Sequence, residues 1–306
     1  MSLSASHLLF PVPHSQIITG FTTAHAVDVP SIHQVHLSDS ALGVHKVSSG
    51  TTHTLVRPPV PPSTDSEERT WDALFPAGSV NPGNKSAPPG GFGFYVHGPP
   101  EFARALREEA PREVLMSYAV MFEDGWEWRK GGKLPGIYGG AGDSAYGCTG
   151  GRQTERCKCF NLRLMWRENG AGELYAYLPT TDSNAARLLE VPPHSVQHPD
   201  YGFSVGRGAW RFVPGQWITV AQRVKMNKVG HEDGEIEVFI DGRSVIYVGG
   251  QTFRTNDAVD GHVQGLHFQT FFGGHTHEWA SPRDQHAWFT KVSGAILRPP
   301  TRHSEL

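Results

Sequence analysis

The sequence predicts an all-β protein built as an antiparallel β-sandwich. Short segments of alternating apolar and polar residues recur along the chain, separated by residues that favour turns, which is the pattern of strands joined by tight connections. The 306 residues include 35 glycines and 23 prolines, many for a helical protein. No repeat of fixed period is present, so a solenoid or a propeller is not predicted.

About nine or ten strands, enough for two packed sheets, are predicted from this alternation. Two of them lie in a central stretch at 125–178. The Asp241-Gly242 pair marks a tight hairpin, and one short helix is predicted at 100–109. The other predicted strands are 92–97, 114–122, 203–212, 217–226, 235–240, 244–248, 263–272 and 287–296.

Residues 1–60 are predicted to be an N-terminal segment that wraps or extends a single domain formed by residues 61–306. The segment is polar, rich in histidine and only weakly periodic, and a proline-rich run at 58–62 follows it as a stiff, extended spacer. The stretch 61–91 mixes proline, glycine, serine and charged residues, so a surface loop is predicted there.

The overall charge argues against nucleic acid and membrane as partners. The net charge of −3 gives no general attraction to polyanions, so binding of an acidic polymer requires a local basic patch. No run of about 18 apolar residues is present to span a membrane. The first residues lack the basic and apolar regions of a signal peptide.

The central stretch at 125–178 holds two alternating segments, each with one apolar and one polar face, because successive side chains of a strand point to opposite sides. The apolar face is formed by Leu162, Leu164, Trp166, Leu174, Ala176 and Leu178. The opposite face carries Asn161, Arg163, Met165, Arg167, Glu173, Tyr175 and Tyr177. A glycine-rich bend just before them adds Lys130 and Lys133.

This polar face suits the elimination of a glycosidic bond next to a uronic acid carboxylate. The reaction needs a cation to neutralise the carboxylate, a base for the proton on the neighbouring carbon, and an acid for the leaving oxygen. Arginine and lysine supply the cation, and tyrosine can supply the base and the acid. A free phenol has a pKa of about 10. We expect the nearby cations to lower the pKa of Tyr175 and Tyr177 and so to favour phenolate.

The same stretch resembles polysaccharide lyase family 14, whose members cleave alginate or related polyuronates. The resemblance lies in KGGKLPG, the glycine-rich loop after it, CFNLRLMWR and GELYAY, and it continues more weakly through FFGG to WASPRDQ at 271–285. It covers about two-thirds of the chain. It implies a β-jelly roll with a substrate groove on one sheet, an acidic polysaccharide as substrate, an extracellular location and no cofactor or metal. A monomer is expected.

The resemblance also implies roles for individual residues. The lysine of GGKLPG is Lys133, the arginine that opens RLMWR is Arg163, and the tyrosines of YAY are Tyr175 and Tyr177; these four are the predicted catalytic residues. Asn161 stands where family members have a serine, which leaves open which uronan is cleaved. The base and acid roles of the two tyrosines stay open, as does Lys133 as the base.

Further residues are predicted to bind the substrate because they share the polar face or lie near it. His267 and Gln269 alternate with apolar neighbours on a later strand, and an aromatic ring can stack on a sugar. The predicted substrate-binding residues are Asn161, Lys130, Arg167, His267, Gln269 and Tyr138.

Two other functions and one disulfide remain open at this point. A jelly roll that binds carbohydrate without cleaving it would show the same groove, and His275 with His277 would suit a metal-assisted hydrolase. Of the three cysteines, either Cys148 pairs with Cys157 or Cys159 and one thiol stays free, or all three stay reduced.

Overall fold

Two stacked β-sheets of nine and eight strands form the body of the protein in a computed structural model, which describes residues 3–64 and 67–298. The remaining residues, 1–2 of the predicted N-terminal segment and 65–66 and 299–306 of the predicted domain, lie outside the described residues. The fold is an all-β sandwich of the jelly-roll type, as predicted. Apart from the parallel pair β1–β2, all strand pairs are antiparallel.

Seventeen strands and three α-helices make up the described chain. The strands are β1 Ile17–Thr22, β2 Ile32–Gln34, β3 Val44–His45, β4 Leu55–Val56, β5 Thr70–Phe75, β6 Phe92–Val96, β7 Glu113–Phe122, β8 Gly132–Gly140, β9 Cys159–Trp166, β10 Ala171–Tyr177, β11 Val196–Gln197, β12 Phe203–Arg211, β13 Ile218–Lys225, β14 Gly234–Ile240, β15 Arg243–Gln251, β16 His262–Phe272 and β17 Gln285–Leu297. The helices are α1 Ala5–Leu9, α2 Pro100–Glu108 and α3 Asp182–Leu189.

Strand order places the central stretch in the middle of the eight-stranded sheet. That sheet runs β11-β12-β10-β9-β8-β16-β6-β3, and the nine-stranded sheet runs β15-β14-β13-β7-β17-β1-β2 with β5 and β4 attached through β17. On β9 and β10, Arg163 is paired with Tyr175 and Asn161 with Tyr177. The polar side chains of the two strands therefore lie next to each other on one face.

The core lies between the sheets and confirms the predicted apolar face. Leu162, Leu164 and Trp166 of β9 are fully buried there, as are Leu174 and Ala176 of β10. Because side chains alternate along a strand, burial of this set fixes the polar set on the side away from the other sheet. The predicted strands outside the central stretch and the predicted helix are confirmed within a few residues.

Two strands lie where a bend and a loop were predicted, and both predictions are wrong. The glycine-rich bend that carries Lys133 is strand β8. A Cβ at Gly136 would lie 1.9 Å from the carbonyl oxygen of Leu162, so glycine is needed for β8 to approach β9. The stretch 61–91 contains β5, whose Trp71 and Phe75 are buried in the core.

The N-terminal segment contributes to both sheets. Strand β1 pairs with β17 in the nine-stranded sheet, and β3 pairs with β6 at the edge of the other sheet. Leu9 and Phe10 pack with Phe239 in a separate apolar cluster on the nine-stranded sheet. No helix in the described chain is long and apolar enough to cross a membrane.

One disulfide closes the loop between β8 and β9. Cys148 pairs with Cys159, one of the two partners predicted, with their Cα atoms 5.7 Å apart, and Cys157 is a free thiol.

Candidate active site

A cavity of about 580 Å³ opens on the polar face of the eight-stranded sheet. Its floor comes from β8, β9, β10 and β16, and loops around residues 81–83, 149–150, 198–201 and 273–279 form its sides. Seven of the ten predicted site residues line it: Lys133, Asn161, Arg163, Arg167, Tyr175, Tyr177 and Gln269. Both strand alternation and sheet order bring these residues together.

Lys133 lies partly buried in the cavity and has no carboxylate partner among the described residues. Its Nζ lies 3.2 Å from the centre of the Tyr175 ring and 5.3 Å from that of Tyr177, and it donates a hydrogen bond to Sδ of Met165 at 3.1 Å. Burial, with the charges of Arg163 and Arg167, lowers the pKa of Lys133 well below its ordinary value. Burial therefore favours the uncharged amine at Lys133 more than water does.

Both tyrosines have raised pKa values, which is the opposite of the prediction. Burial is the largest cause for each phenol. The charge of Arg167 offsets part of this rise in pKa at Tyr175. The charges of Arg163 and Arg156 offset part of the rise at Tyr177. The prediction counted the cations but not the loss of water around the phenols, which outweighs them. Both rings therefore carry neutral hydroxyls in the free protein.

Arg163 is held by groups of the protein itself. Nε donates to the Leu134 carbonyl oxygen at 2.7 Å, Nη1 donates to Oε1 of Gln269 at 3.1 Å, and Nη2 donates to the Gln269 carbonyl oxygen. Burial lowers the pKa of Arg163 to about 10. Most of its N–H donors are thus occupied, and Arg163 mainly fixes Gln269 and supplies positive charge beneath the cavity.

Asn161 and Arg163 share His267 as a partner. Nδ1 of His267 lies 2.9 Å from Nδ2 of Asn161 and 3.3 Å from Nη1 of Arg163, so it accepts and the ring is neutral. Burial, with the nearby Arg163 and Lys133 side chains, lowers the pKa of His267 well below its usual value. His267 supports Asn161 from behind the cavity wall and stacks on Tyr95.

Arg167 belongs to a network centred on a buried carboxylate. Glu173 is fully buried and accepts hydrogen bonds from Arg167, Arg207 and Ser204, at 2.6–2.8 Å. Despite burial, which alone would raise it, the pKa of Glu173 is lowered by these partners. The network fixes Arg167 within 6.0 Å of the Tyr175 ring, at the cavity edge.

Two other predicted binding residues lie outside the cavity wall. Lys130 forms an ion pair with Glu278. Tyr138 is fully buried, and its hydroxyl lies 2.9 Å from Nε2 of His97. Lys130 and Tyr138 therefore contact other side chains of the protein and do not line the cavity.

Sequence reasoning missed three contributors to the site. Met165 was assigned to the polar face, but its contact with Lys133 has no sequence signal. Arg156 is buried and donates to the carbonyl oxygens of Arg152 and Tyr201, and its guanidinium lies 5.2 Å from the Tyr177 ring. Because Tyr201 lines the cavity, Arg156 ties two cavity loops together beside a predicted catalytic residue.

The third contributor is a set of contacts that joins three cavity loops through His275. The hydroxyl of Tyr201 lies 3.3 Å from Nε2 of His275, and Nδ1 of His275 lies 3.2 Å from Nδ2 of Asn81. These contacts occupy both ring nitrogens of His275. In the described chain, no group of three His, Cys, Asp or Glu side chains is placed to hold a metal ion.

Comparison with known families identifies the type of site. The sequence profile described as polysaccharide lyase 14 matches residues 63–292, which include the whole floor of the cavity. The chain belongs to polysaccharide lyase family 14. The resemblance drawn from the central stretch is thereby confirmed. As a family 14 chain, the protein is a polysaccharide lyase that acts on polyuronates.

Solved structures of similar fold include two alginate lyases. The family 14 chain is 29% identical to the marine PL-14 alginate lyase from Aplysia kurodai, with a TM-score of 0.67 over 83% of this chain and 90% of that one. It is 19% identical to alginate lyase vAL-1 from Chlorella virus, with a TM-score of 0.61 over 84% and 93% of the two chains. A search of curated protein sequences gave no match.

Proposed function

We propose that this protein cleaves a 1,4-linked polyuronate by β-elimination, within the chain rather than from its end. The observation that carries the proposal is the amine of Lys133, whose pKa is lowered, next to the neutral phenol of Tyr175 in an open cavity. Transfer of the phenol proton to the amine is unfavourable in the free protein, because the pKa of the phenol is raised and that of the amine is lowered. A bound carboxylate next to the amine reduces this cost.

The reaction breaks two bonds and forms one double bond. A base removes the proton at C5 of the uronate, the C4–O4 bond breaks, and the electron pair of the C–H bond becomes the C4=C5 double bond. O4 leaves with a proton from the acid. The product carries an unsaturated uronate at its new non-reducing end, and no water is added.

Proton transfer within the site prepares the base. The sugar carboxylate next to Lys133 raises the pKa of the amine, because the negative charge stabilises ammonium. Nζ then takes the proton of the Tyr175 hydroxyl. The ammonium neutralises the carboxylate, and the Tyr175 phenolate removes the C5 proton. Tyr177, whose phenol keeps its proton, protonates O4.

The same starting state allows a second proton route, in which Nζ of Lys133 removes the C5 proton directly and Tyr175 only positions the sugar. A Tyr175→Phe variant distinguishes the two routes. Loss of activity close to that of a Lys133 variant supports the tyrosine as base. Retention of most of the activity supports the amine.

The remaining cavity residues bind the sugar. Arg167 is fixed at the edge by Glu173, and Gln269 is fixed by Arg163. Oδ1 of Asn161 has no hydrogen-bond partner within the described residues, so it can accept a bond from a sugar hydroxyl. His267 supports Asn161 without contacting the substrate.

The preferred substrate in this proposal is alginate, with glucuronan as the alternative. The 29% identical structure from Aplysia kurodai is described as an alginate lyase, which supports this choice. The disulfide Cys148–Cys159 supports an extracellular site of action, because disulfides persist in oxidising compartments.

The test is an ultraviolet assay for the new double bond with alginate and glucuronan as substrates. We expect absorbance to grow with the wild-type protein and not with a Tyr175→Phe, Tyr177→Phe double variant. Undiminished activity of the double variant would refute the assignment. Binding without any product would support a carbohydrate-binding jelly roll, and saturated products that are lost with a chelator would support a metal-assisted hydrolase.

A further inference from the structure

A second, smaller cavity of about 220 Å³ adjoins the active-site cavity on the same face of the protein. Its volume is below the range of about 300–1,000 Å³ typical of sites for drug-sized ligands, and it suits a single sugar unit. Its wall comes from two loops, at residues 48–51 and 82–90, together with Phe92, Gln269 and Thr270.

The two cavities share part of their walls. Pro82 and Gln269 line both. A Cβ built on Gly93 would lie 2.7 Å from Cγ of Gln269 and 2.8 Å from Oγ of Ser48. Glycine at position 93 therefore leaves room for these two side chains to come together, at the boundary between the cavities.

The charge of the second cavity suits an acidic sugar. Lys85 is the one charged residue in its described wall, and the other polar side chains there are hydroxyls and amides. The Lys85 side chain is exposed, and its Nζ lies 3.5 Å from the carbonyl oxygen of Pro82. An ammonium next to a shared wall residue is well placed for the carboxylate of the next sugar in a chain.

Part of this cavity lies outside the family profile. Residues 48–51 precede the matched range 63–292. They reach the cavity because β3 pairs with β6, and the backbone N–H of Ser48 donates to the carbonyl oxygen of Gly93 at 2.7 Å. The N-terminal segment thus adds a wall to the substrate groove.

We propose that this cavity is an additional subsite, which binds one uronate unit of the polymer beyond the units held in the active-site cavity. The proposal rests on the proposed polyuronate cleavage. Lys85 binds the carboxylate, and Ser48 with Gln269 binds the sugar hydroxyls. Substrates long enough to reach the subsite bind more tightly, while the chemical step is unchanged.

The test compares kcat and KM for defined uronan oligosaccharides of increasing length. The variants are Lys85→Ala, which removes the charge, and Ser48→Phe, which fills the cavity. Lys228→Ala is the matched control, because Lys228 is also exposed and lines neither cavity. Thermal unfolding of each variant verifies that it is folded.

We expect the wild-type KM to fall when one further sugar fills the subsite. Lys85→Ala should raise KM for those longer substrates by about threefold to fivefold, which is typical of the loss of an exposed charge pair. Ser48→Phe should abolish the fall in KM that the additional sugar causes. Both variants should leave KM for shorter substrates unchanged, and kcat should stay unchanged for substrates of every length. Equal effects at every length, or no effect of Lys85→Ala, would overturn the subsite alone. A wild-type protein that forms no unsaturated product from any uronan would overturn the proposed function as well.

Discussion

Lys133 shows how burial, rather than residue type, sets the chemistry of a single side chain. Lys130, three positions earlier, forms an ion pair with Glu278 and is partly exposed. Lys133 instead contacts an aromatic ring and a thioether, and its pKa is lowered. The sequence placed both lysines near the site, but only the structure distinguishes a lysine in an exposed ion pair from a buried amine of lowered pKa.

Replacement of Lys133 by methionine should abolish the reaction without destabilising the fold. Methionine fills a similar volume but cannot exchange a proton, so we expect kcat/KM to fall by about 10²- to 10⁴-fold. The free energy of unfolding should not decrease, because the variant removes an amine whose burial is unfavourable. Steady-state kinetics and chemical denaturation measure the two effects. Lys130→Met is the control and should keep nearly full activity; similar losses in both variants would contradict the role of Lys133.

The dependence of kcat/KM on pH should reflect the ionisation of Lys133. The amine is protonated below its lowered pKa, so kcat/KM should rise as the pH rises through that value and then level off. Both phenol pKa values are raised, so activity should not decline before about pH 10, the ordinary pKa of tyrosine. Initial rates measured across this range test the prediction. A decline that begins near neutral pH would be inconsistent with neutral phenols as the working form.

At the scale of elements, β9 and β10 were predictable and β8 was not. Strict alternation in β9 and β10 fixed both the strands and their faces, because only one register buries all the apolar side chains. Strand β8 contains four glycines among nine residues and lacks that alternation. The close approach at Gly136 becomes apparent only when the neighbouring backbone is present.

The Glu173 network joins β10 to its two neighbouring strands, and its loss should weaken the sheet under the site. Glu173→Gln leaves Arg167 and Arg207 without their counter-charge, so we expect the free energy of unfolding at pH 7 to fall by about 3 kcal/mol. The pKa of Glu173 is lower in the folded protein than in the unfolded chain. The stability that its carboxylate contributes is therefore fully present above about pH 4.5, and it is lost as the pH falls through the folded-state pKa.

Denaturation of wild type and Glu173→Gln at several pH values measures this effect. The difference in stability between them should shrink below about pH 4.5. A difference that stays constant with pH would mean that the carboxylate charge does not stabilise the sheet.

At the scale of the whole molecule, the N-terminal segment is part of the sandwich. Strand β1 lies between β17 and β2, and Phe21 on β1 is 1% exposed with its ring 5.0 Å from that of Phe102. Weak periodicity made the segment hard to assign from sequence, since its strands are short and β1 pairs with β17, which lies more than 200 residues further along the chain.

Phe21→Ala should therefore destabilise the entire domain. Loss of a buried phenylalanine typically costs about 3–5 kcal/mol, and we expect a single unfolding transition that shifts as a whole. Ile18→Ala on the same strand is the control, because Ile18 is 50% exposed and should change stability by less than about 0.5 kcal/mol. Calorimetry of both variants measures the shift. A separate early transition in Phe21→Ala would show that the segment folds independently.

The sequence predicted the architecture and brought seven of the ten candidate residues into one cavity, because alternation and motif spacing report directly on sheet faces. It did not predict the ionisation of the site. The pKa directions of Lys133, Tyr175 and Tyr177 depend on burial by loops that come from distant parts of the chain. The contacts of Arg156 and His275 with Tyr201 depend on loop conformations in the same way.

Cleavage of the polymer without water is the central claim, and one measurement tests it directly. Alginate is digested in water enriched in ¹⁸O, and the oligosaccharides are analysed by mass spectrometry. Elimination predicts that each fragment with a new non-reducing end is unsaturated and lighter by one water than the corresponding hydrolysis product. It also predicts that ¹⁸O enters only by the slow exchange of reducing ends, which uncleaved oligosaccharides also show. Saturated fragments that carry one ¹⁸O per cleavage would contradict the account.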